Sequence, residues 1–533
     1  MTYRQVASAL FIALAVVIAL LRPELVEAAR VTSLVDAAKA GDRAQVETLL
    51  EHNLAVVDQV GPDGTTALHW AVNQDDAAMV ELLIRAGADV EARNRYGFPP
   101  VAFAAVNGNA TILSRLIIAG ADPNTSVPGG ETLLMTASRT GNPDAIQVLL
   151  AAGALVNATD ASGQTALMWA AAANNGSTIT ALVAQGADSN IRTRAGLDAL
   201  MFAVRRGQVE AVQALIEAGA DVNGTMKGGE SVLEVAIVNS HWGLANMLLD
   251  RGADPNLAKA GYNALHRLTV LRPIVSGVVY DEDLPIPLGS LDLILDLVKK
   301  MIAKGLDVNA RMAKDALKEQ KFTDNLSVLI HVGATAFLLA AKEADLELMD
   351  LLLAAGADPT IPTLDDTTPL MVAAGVCCYR GSYSRFRQRG KGGDILKAVK
   401  MCLELGNDVN AVNYIGDTAL HGAAYRGVPE VAEYLIKNGA KLDVTDARGL
   451  SPLIVASGVN YIDYFSGLSK SPKTAEVLRN AMKDRGLSTK VPPVDEKLCL
   501  YCYLSQPKAY AAARRRAREL SEQLKRQQQD SLR

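Results

Sequence analysis

Glycine recurs at an interval of 33 residues along much of this 533-residue chain. Consecutive glycines with that spacing are Gly64, Gly97, Gly130, Gly163, Gly196 and Gly229. A period of this length is typical of units that cannot bury their apolar faces alone and must stack on their neighbours. We therefore predict an array of stacked repeats and not a set of separate globular domains.

Residues 63–92 illustrate one unit. Gly64 follows an aspartate and marks a turn, and Thr65 or Thr66 can cap the helix that follows. The letters ALHWAV then predict a short first helix, and AMVELLIR predicts a second helix with a dense apolar face. Gly87 can end that second helix in a left-handed conformation.

This unit resembles the ankyrin repeat, which opens on a Thr-Pro-Leu-His-x-Ala motif and closes on Gly-Ala-Asp-x-Asn. Openings here include TALHWA at 66–71 and TALHGA at 418–423, and closes include GADPN at 120–124 and 252–256. The likeness covers roughly residues 31–488. It implies an all-α fold, a solenoid of about twelve helix-turn-helix units with short β-hairpin turns. The organisation also resembles large exported ankyrin-repeat proteins of the kind found in bacteria.

The units are not uniform, and the departures define the predicted domain organisation. Insertions in a repeat array map to loops on one face, often the binding face. The predicted segments are a signal peptide at 1–28, an N-terminal capping repeat at 31–62, regular repeats at 63–260, a repeat with insertions at 261–332, further repeats at 333–488 with loop insertions at 376–394 and 458–471, and a linker, CxxC motif and basic helical tail at 489–533.

The N-terminus has the layout of a secretory signal. Arg4 precedes an uncharged apolar run at 6–21, and Val26 and Ala28 place small residues ahead of a cleavage site before Ala29. We expect a periplasmic or secreted protein. The alternatives are an anchor in the inner membrane formed by the same run, the only case in which we expect membrane contact, and a buried capping helix.

The resemblance implies a concave partner-binding face built from turn tips and the exposed side of each first helix. The expected partner is another protein, because arginine and tyrosine often anchor protein interfaces. Ordinary solvated side chains are the alternative for each position. Carried onto this sequence, the candidate positions are Arg95, Tyr96, Arg139, Thr140, Arg194, Arg205, Arg206, Lys227, Tyr414, Tyr425 and Arg426.

Four aromatic residues occupy the same position of their repeats: Trp70, Phe103, Trp169 and Phe202. A shared site for an aromatic ligand is conceivable. Packing between stacked first helices is the favoured interpretation, so we predict core residues.

Histidines hold the fourth position of three repeat openings: His69, His266 and His421. The family resemblance implies that this histidine bonds neighbouring backbone and orders the turn. Since these histidines lie in separate repeats, we predict no metal cluster.

The inserted loop at 379–391 mixes aromatic and basic residues. We predict partner contacts from Tyr383, Arg385, Phe386 and Arg387. Such a loop could bind RNA by stacking and phosphate pairing, but an export signal makes nucleic acid an unlikely partner and favours an acidic protein or anionic head groups. The basic tail lacks the apolar stripe of a membrane-surface helix, so we expect a solvated or docking helix.

Cys499 and Cys502 form a CxxC motif. Tyr503 follows it, which excludes a haem attachment site, and a zinc site would need more ligands. A disulfide that pins the loop cysteines Cys377 and Cys378 to the tail is the favoured role, and free or locally paired thiols are the alternative. A redox- or metal-linked accessory function is the corresponding alternative.

No signature of catalysis is present in the sequence. It contains no GxSxG, P-loop or HExxH motif, and the acidic cluster at 281–283 lacks calcium-loop spacing. The net charge of −5 is small for this length and points to no class of partner. We therefore predict a protein-protein interaction scaffold that is not an enzyme and carries no cofactor.

Overall fold

The chain is built from pairs of short α-helices. The computed structural model describes residues 33–51, 56–275, 291–313, 332–376, 392–447, 449–458 and 471–491. Twelve helix pairs lie within this described part of the chain. The all-α repeat fold predicted from the sequence is confirmed.

The described residues divide into two compact units. Unit 1 comprises 33–194, 198–203 and 208–220, and unit 2 comprises 195–197, 204–207 and 221–491. The division therefore falls within the helix that spans Ala199–Arg206.

Unit 1 is a stack in which each first helix packs on the first helix of the next repeat. Its helices are α1 (Leu34–Ala40), α2 (Arg43–Glu51), α3 (Ala67–Asn73), α4 (Ala77–Arg85), α5 (Pro100–Asn107), α6 (Ala110–Ile118), α7 (Leu133–Thr140), α8 (Pro143–Ala151), α9 (Ala166–Ala172), α10 (Gly176–Ala184), the start of α11 (Ala199–Arg206) and α12 (Val209–Glu217).

Unit 2 follows the same plan with longer second helices where the sequence carries insertions. Its complete helices are α13 (Val232–Val238), α14 (Trp242–Asp250), α15 (Ala264–Val275), α16 (Leu291–Ala303), α17 (Ala336–Glu343), α18 (Leu346–Ala354), α19 (Pro369–Ala374), α20 (Gly392–Glu404), α21 (Ala419–Arg426), α22 (Pro429–Lys437), α23 (Pro452–Ala456) and α24 (Pro472–Asp484).

Polar caps and glycines set the ends of these helices. In the second repeat the Thr66 hydroxyl accepts the backbone N–H of the third residue of α3, as helix N-caps generally do. Asp76 caps α4 in the same way. After α4, Gly87 adopts φ 87°, and the next residue, Ala88, donates its N–H to the Leu83 carbonyl. This is the helix-terminating role that we predicted for Gly87.

The core runs between the two helices of each pair and on into the next pair. Leu68 and Ala71 from α3, with Val80 and Leu83 from α4, have at most 1% of their surface exposed. Burying each such leucine or valine contributes about 1.5–3 kcal/mol, whereas alanine on the first helices allows neighbouring helices to approach closely. Stacking is therefore what stabilises each pair.

An asparagine near the end of several repeats bonds the following repeat. The Asn410 side-chain amide donates to the Gly439 carbonyl at 3.1 Å, and its oxygen accepts the Lys441 N–H at 2.9 Å. Asn124 and Asn223 make equivalent pairs of bonds. These bonds fix the position of each second helix relative to the next one.

The turns between repeats carry little β-structure. In the described residues, antiparallel pairing is limited to single bridges such as Val60–Thr66 and Thr225–Ser231. The short hairpins expected from the family pattern are thus tight turns with isolated bridges.

Candidate functional site

Each first helix is bonded to the turn of the following repeat. The backbone N–H of Thr66 donates to Nδ1 of His69 at 3.1 Å, and Nε2 of His69 lies 3.0 Å from the Phe98 carbonyl oxygen. Burial lowers the pKa of His69, so the ring is neutral and Nε2 is the donor. His421 makes the same pair of contacts, reaching the Leu450 carbonyl at 3.0 Å. The predicted turn-ordering role of these histidines is confirmed.

The tips of neighbouring turns are also in direct contact. The Arg95 backbone N–H donates to the Asp63 carbonyl at 2.8 Å. Gly64 has φ 77°, and a Cβ on it would lie 2.9 Å from the Arg95 nitrogen, so a side chain cannot fit there. The same bond recurs from Ala161 to Gly129. The turn tips therefore form a row of fixed geometry.

All five predicted contact residues of unit 1 are exposed. The Arg95 guanidinium carbon lies 5.0 Å from the Tyr96 ring centroid, and its Nη2 donates to the Tyr96 hydroxyl at 2.8 Å. Arg139 lies 4.0 Å from the Glu131 carboxylate. Thr140 donates its hydroxyl to a carbonyl of its own helix. Arg194, at another turn tip, is exposed as well.

The predicted contact residues of unit 2 divide into two groups. Arg205, Arg206 and Lys227 are exposed, and Tyr414 is half-buried. Each of these four presents some surface that a partner could contact. Tyr425 and Arg426, discussed next, do not.

Assigning Tyr425 and Arg426 to an accessible surface is wrong, since each has only 3% of its surface exposed. The Tyr425 hydroxyl donates to the buried Asp417 carboxylate at 3.1 Å. Arg426 donates to the Ala373 carbonyl at 2.7 Å and to the Lys342 carbonyl at 3.0 Å. Those carbonyls end α19 and α17, so Arg426 caps two helix C-termini, which favour cations. Its role is structural.

The four aromatic residues at the shared repeat position are more exposed to solvent than we predicted. Trp70, Phe103, Trp169 and Phe202 are each half-buried and not enclosed in the core. The Lys39 ammonium lies 5.0 Å from the Trp70 ring centroid. The Arg139 guanidinium lies 5.2 Å from that of Trp169.

Lys39 and the two tryptophans were not among the predicted contact residues. Their positions within the repeat could have identified them. The fourth residue of a first helix lies beside the residues that end the preceding first helix. In each pair the cation belongs to one repeat and the ring to the next.

Unit 2 holds a buried charged cluster that the sequence reading missed. Glu234 stands where other repeats have histidine, and it accepts the Ser231 N–H at 2.7 Å through Oε2. Its Oε1 and the Nε of Arg267 are buried and have no hydrogen-bond partner in the described structure. Burial raises the pKa of Glu234 to about 7, although Ser231 and Arg267 oppose the shift. Arg267 donates to the Tyr262 hydroxyl at 2.6 Å.

The structure describes the surroundings of Cys402 and of the histidines at the repeat openings. Burial raises the pKa of the Cys402 thiol to about 12, so it stays protonated and unreactive. The histidines at the repeat openings are engaged in backbone contacts, and His266 is one of them. The described residues contain no group of three or more His, Cys, Asp or Glu side chains that could hold a metal ion.

Several predicted features lie outside the described residues. They are the signal segment at 1–28, the loop residues Tyr383, Arg385, Phe386 and Arg387, and Cys499 and Cys502 with the tail. Among the helices that the structure does describe, none combines the length and apolar character needed to cross a membrane.

Comparison with protein-family models identifies ankyrin repeats. A model described as "Ankyrin repeats (3 copies)" matches residues 13–94, 34–127, 101–193, 171–259 and 390–480. A second model, "Ankyrin repeat", matches residues 332–364. Together the matches cover well over half of the chain.

Among curated proteins, the chain is 30% identical to ankyrin repeat and SOCS box protein 3 of Bos taurus over 125 residues, which are 24% of this chain and 21% of the bovine protein. It is 31% identical to the putative ankyrin repeat protein L271 of Acanthamoeba polyphaga mimivirus, over 21% of this chain and 14% of that protein. It is 34% identical to Notch-regulated ankyrin repeat-containing protein A of Danio rerio, over 14% of this chain and 69% of that protein. The chain thus spans about a fifth or less of the first two relatives.

Solved structures similar to this chain include the ankyrin repeat domain of Bcl-3, at 30% identity and a TM-score of 0.35, covering 38% of this chain and 93% of that one. The human ASB11 ankyrin repeat domain matches at 23% identity and a TM-score of 0.39, covering 42% and 98%.

Proposed function

This chain belongs to the ankyrin repeat family, and from that premise we propose that it is a non-enzymatic scaffold that binds another protein. Ankyrin repeats are general protein-protein interaction modules. The proposed contact surface is formed by the turn tips and the exposed side of the first helices, with the inserted loops extending it.

The observation that carries this proposal is the rigid attachment of exposed arginine and tyrosine residues. Arg95 and Tyr96 stand on a turn whose backbone is bonded to Asp63 of the preceding turn and to His69 of the preceding first helix. A surface held in this way loses little conformational entropy on binding, so more of the contact energy appears as affinity. Arginine and tyrosine are also frequent hot-spot residues of protein interfaces.

Site-specific photo-crosslinking tests the contact surface. A benzophenone amino acid is placed at Tyr96 on a turn tip or, as the matched control, at Ile118, which is 84% exposed near the end of a second helix of the same unit. In the native cell we expect discrete crosslinked partners from position 96 and none from 118. Equal crosslinking from both positions, or crosslinks from 118 alone, would contradict the proposed surface.

We further propose that the repeats act outside the cytoplasm, in the periplasm or after secretion. Support comes from the apolar run at 6–21 with small residues ahead of Ala29, which is the layout of a secretory signal. Retention of that run as an anchor is the alternative arrangement.

Proximity labelling, with the label fused after Arg533, tests this location together with mass spectrometry of the mature N-terminus. A chain that begins near Ala29 and labels envelope or extracellular proteins supports the proposal. A chain that keeps Met1 and labels cytoplasmic or ribonucleoprotein components contradicts export, and would make the basic loop at 379–391 the leading site.

A further inference from the structure

We propose that the first-helix and turn face of unit 1 binds an extended peptide segment rich in carboxylates. We call this surface the cationic face and define it by Lys39, Arg95, Arg139 and Arg194, with Trp70 and Trp169. The inference rests on the proposed function, because it names the kind of partner that the protein-binding surface of unit 1 would take.

Two of the cations are held against aromatic rings of the next repeat. The Lys39 ammonium lies 5.0 Å from the Trp70 ring centroid, and the Arg139 guanidinium lies 5.2 Å from that of Trp169. Both rings are half-buried, and both cations are exposed. A cation–π contact at an exposed site is worth about 0.5–1 kcal/mol, enough to restrict a long side chain without neutralising it. The positive charge therefore stays available to a ligand while part of its ordering cost is already met.

The carboxylates near these cations are engaged within the protein. Hydrogen bonds from the Thr65 hydroxyl and from the Thr65 backbone N–H, the latter at 3.1 Å, lower the pKa of Asp63. Asp160 accepts two backbone N–H groups of its own turn at 2.8 Å each. Glu131 accepts the Thr136 hydroxyl at 2.7 Å and lies 4.0 Å from Arg139. These acids order the turns and the first helix.

By contrast, Lys39 and Arg194 make no ion pair within the part of unit 1 that the structure describes. These two members of the cationic face thus carry positive charge that no ion pair of the described residues neutralises.

The second-helix side of unit 1 provides an internal comparison. There Arg43 pairs with Asp76 at 2.6 Å, Arg85 pairs with Glu81 at 2.8 Å, and Arg115 lies 3.5 Å from Glu81. The basic residues on that side are neutralised by neighbouring acids. On the first-helix and turn side Arg139 and Arg192 lie within 4.0 Å of Glu131 and Asp198, but Lys39 and Arg194 form no ion pair among the described residues, and a ligand that contributes carboxylates would complement them.

Spacing favours an extended peptide over nucleic acid. The cations are single, they are distributed over five repeats, and packed helices of neighbouring repeats lie about 8–10 Å apart. An extended chain rises about 3.3 Å per residue, so acidic residues three positions apart, or a multiple of three, match the repeat distance. Half-buried tryptophans between the cations favour the apolar side chains of a peptide. A nucleic-acid groove would place its cations closer together along the backbone.

Peptide selection tests the proposal without a known partner. A random dodecamer library, about 40 Å when extended, is selected on the full chain. Affinities of the enriched peptides are then measured for the wild type, for the double variant K39Q/R139Q, and for the control R43Q/R85Q on the second-helix side. We expect an excess of Asp and Glu at three-residue spacing. We also expect a loss of about tenfold or more in affinity for K39Q/R139Q, and no change for the control.

Three outcomes would overturn the proposal. The first is enrichment of peptides without an acidic excess, and the second is equal affinity for the wild type and K39Q/R139Q. The third is binding of an oligouridylate of 30 nucleotides with higher affinity than any peptide and the same dependence on Lys39 and Arg139, which would assign the face to nucleic acid.

If no peptide is enriched while crosslinking from Tyr96 still captures a partner, the acidic-peptide inference fails and the scaffold function stands. If crosslinks arise only from Ile118, both fail.

Discussion

Replacing Glu234 by glutamine should stabilise unit 2 at alkaline pH and leave it unchanged at acid pH. Glutamine keeps the shape of the side chain and an oxygen that can accept the Ser231 N–H, which glutamate accepts at 2.7 Å. It removes only the ionisable group, whose second oxygen is buried without a hydrogen-bond partner in the described structure. The variant therefore isolates the cost of a carboxylate charge at this position.

The sign follows from the direction of the pKa shift. Burial raises the pKa of Glu234 from 4.5 to about 7. A raised pKa in the folded state means that the associated stability is complete below pH 4.5 and is lost as the pH rises through 7. A shift of this size corresponds to about 3 kcal/mol. The variant and the wild type should thus be equally stable near pH 4, and the variant more stable by about 3 kcal/mol at pH 8.

A neighbouring histidine has the opposite pH dependence. Burial lowers the pKa of His266 from 6.5 to about 4, so its contribution is complete above pH 6.5 and is lost as the pH falls through 4. His266 is present in both proteins, and its contribution cancels in the difference between them. For this reason the comparison must be made between variant and wild type at each pH.

Tryptophan fluorescence can report on unit 2 alone. The chain has three tryptophans, and Trp242 lies in α14, which packs on the helix that carries Glu234. In a W70F/W169F background, urea unfolding followed through Trp242 should show a midpoint about 1–3 M higher for E234Q at pH 8, given typical urea dependences. Glu230→Gln is the matched control and should shift the midpoint only slightly.

Destabilisation of unit 2 by E234Q at pH 8 would be the opposite result. If Glu234 and Arg267 form a stabilising buried ion pair, then E234Q leaves a buried arginine without its counter-charge and should destabilise unit 2 by about 3–5 kcal/mol at pH 8. A lower midpoint for E234Q at that pH would therefore refute the argument that desolvation outweighs the attraction of Arg267.

Two further predictions concern a left-handed backbone conformation and a pair of hydrogen bonds between repeats, both in unit 2. Ala344 has φ 53°, a left-handed conformation that costs a non-glycine residue about 1–2 kcal/mol, so Ala344→Gly should raise the free energy of unfolding by up to about 1 kcal/mol in the same urea assay. Asn410→Ala removes both bonds to the following repeat, at 3.1 and 2.9 Å, and should cost about 1–2 kcal/mol. The control Asn438→Ala removes an exposed amide that donates to the Tyr434 carbonyl of its own helix and should cost less; equal losses would show that the bonds between repeats add nothing.

The fold could be predicted because its determinants are local and periodic. A glycine at a 33-residue interval is required wherever a turn needs positive φ and a Cβ would collide with the next turn, as at Gly64. The capping threonine and the histidine three residues later act within one turn of helix and its neighbour, as Thr66 and His69 do. Each of these requirements can be recognised from a few adjacent letters.

The burial of Arg426 could not be predicted because it depends on residues that are far apart in the sequence. Helix α19 is only six residues long and ends at Gly375, where a Cβ would lie 2.6 Å from the Gly422 carbonyl oxygen. That close approach of two backbones places the Ala373 carbonyl, near the C-terminus of α19, within reach of Arg426, which lies 53 residues later in the sequence. A pattern of single repeats assigns the arginine to a surface, whereas the close approach of α19 and α21 buries it.

The fourth position of the repeat opening shows how one geometry supports different chemistry. His69 and His421 use a neutral ring to link the cap of their own helix to the next turn. Met135 offers only a sulfur, 3.4 Å from the capped nitrogen. Glu234 bonds the same nitrogen but brings a carboxylate into the core beside Arg267. Each of these side chains accepts a hydrogen bond from the backbone N–H of the capping residue. The backbone of the repeat is therefore nearly the same whichever of them is present. The choice therefore sets local pH dependence and charge without altering the fold, and for that reason periodicity alone cannot reveal it.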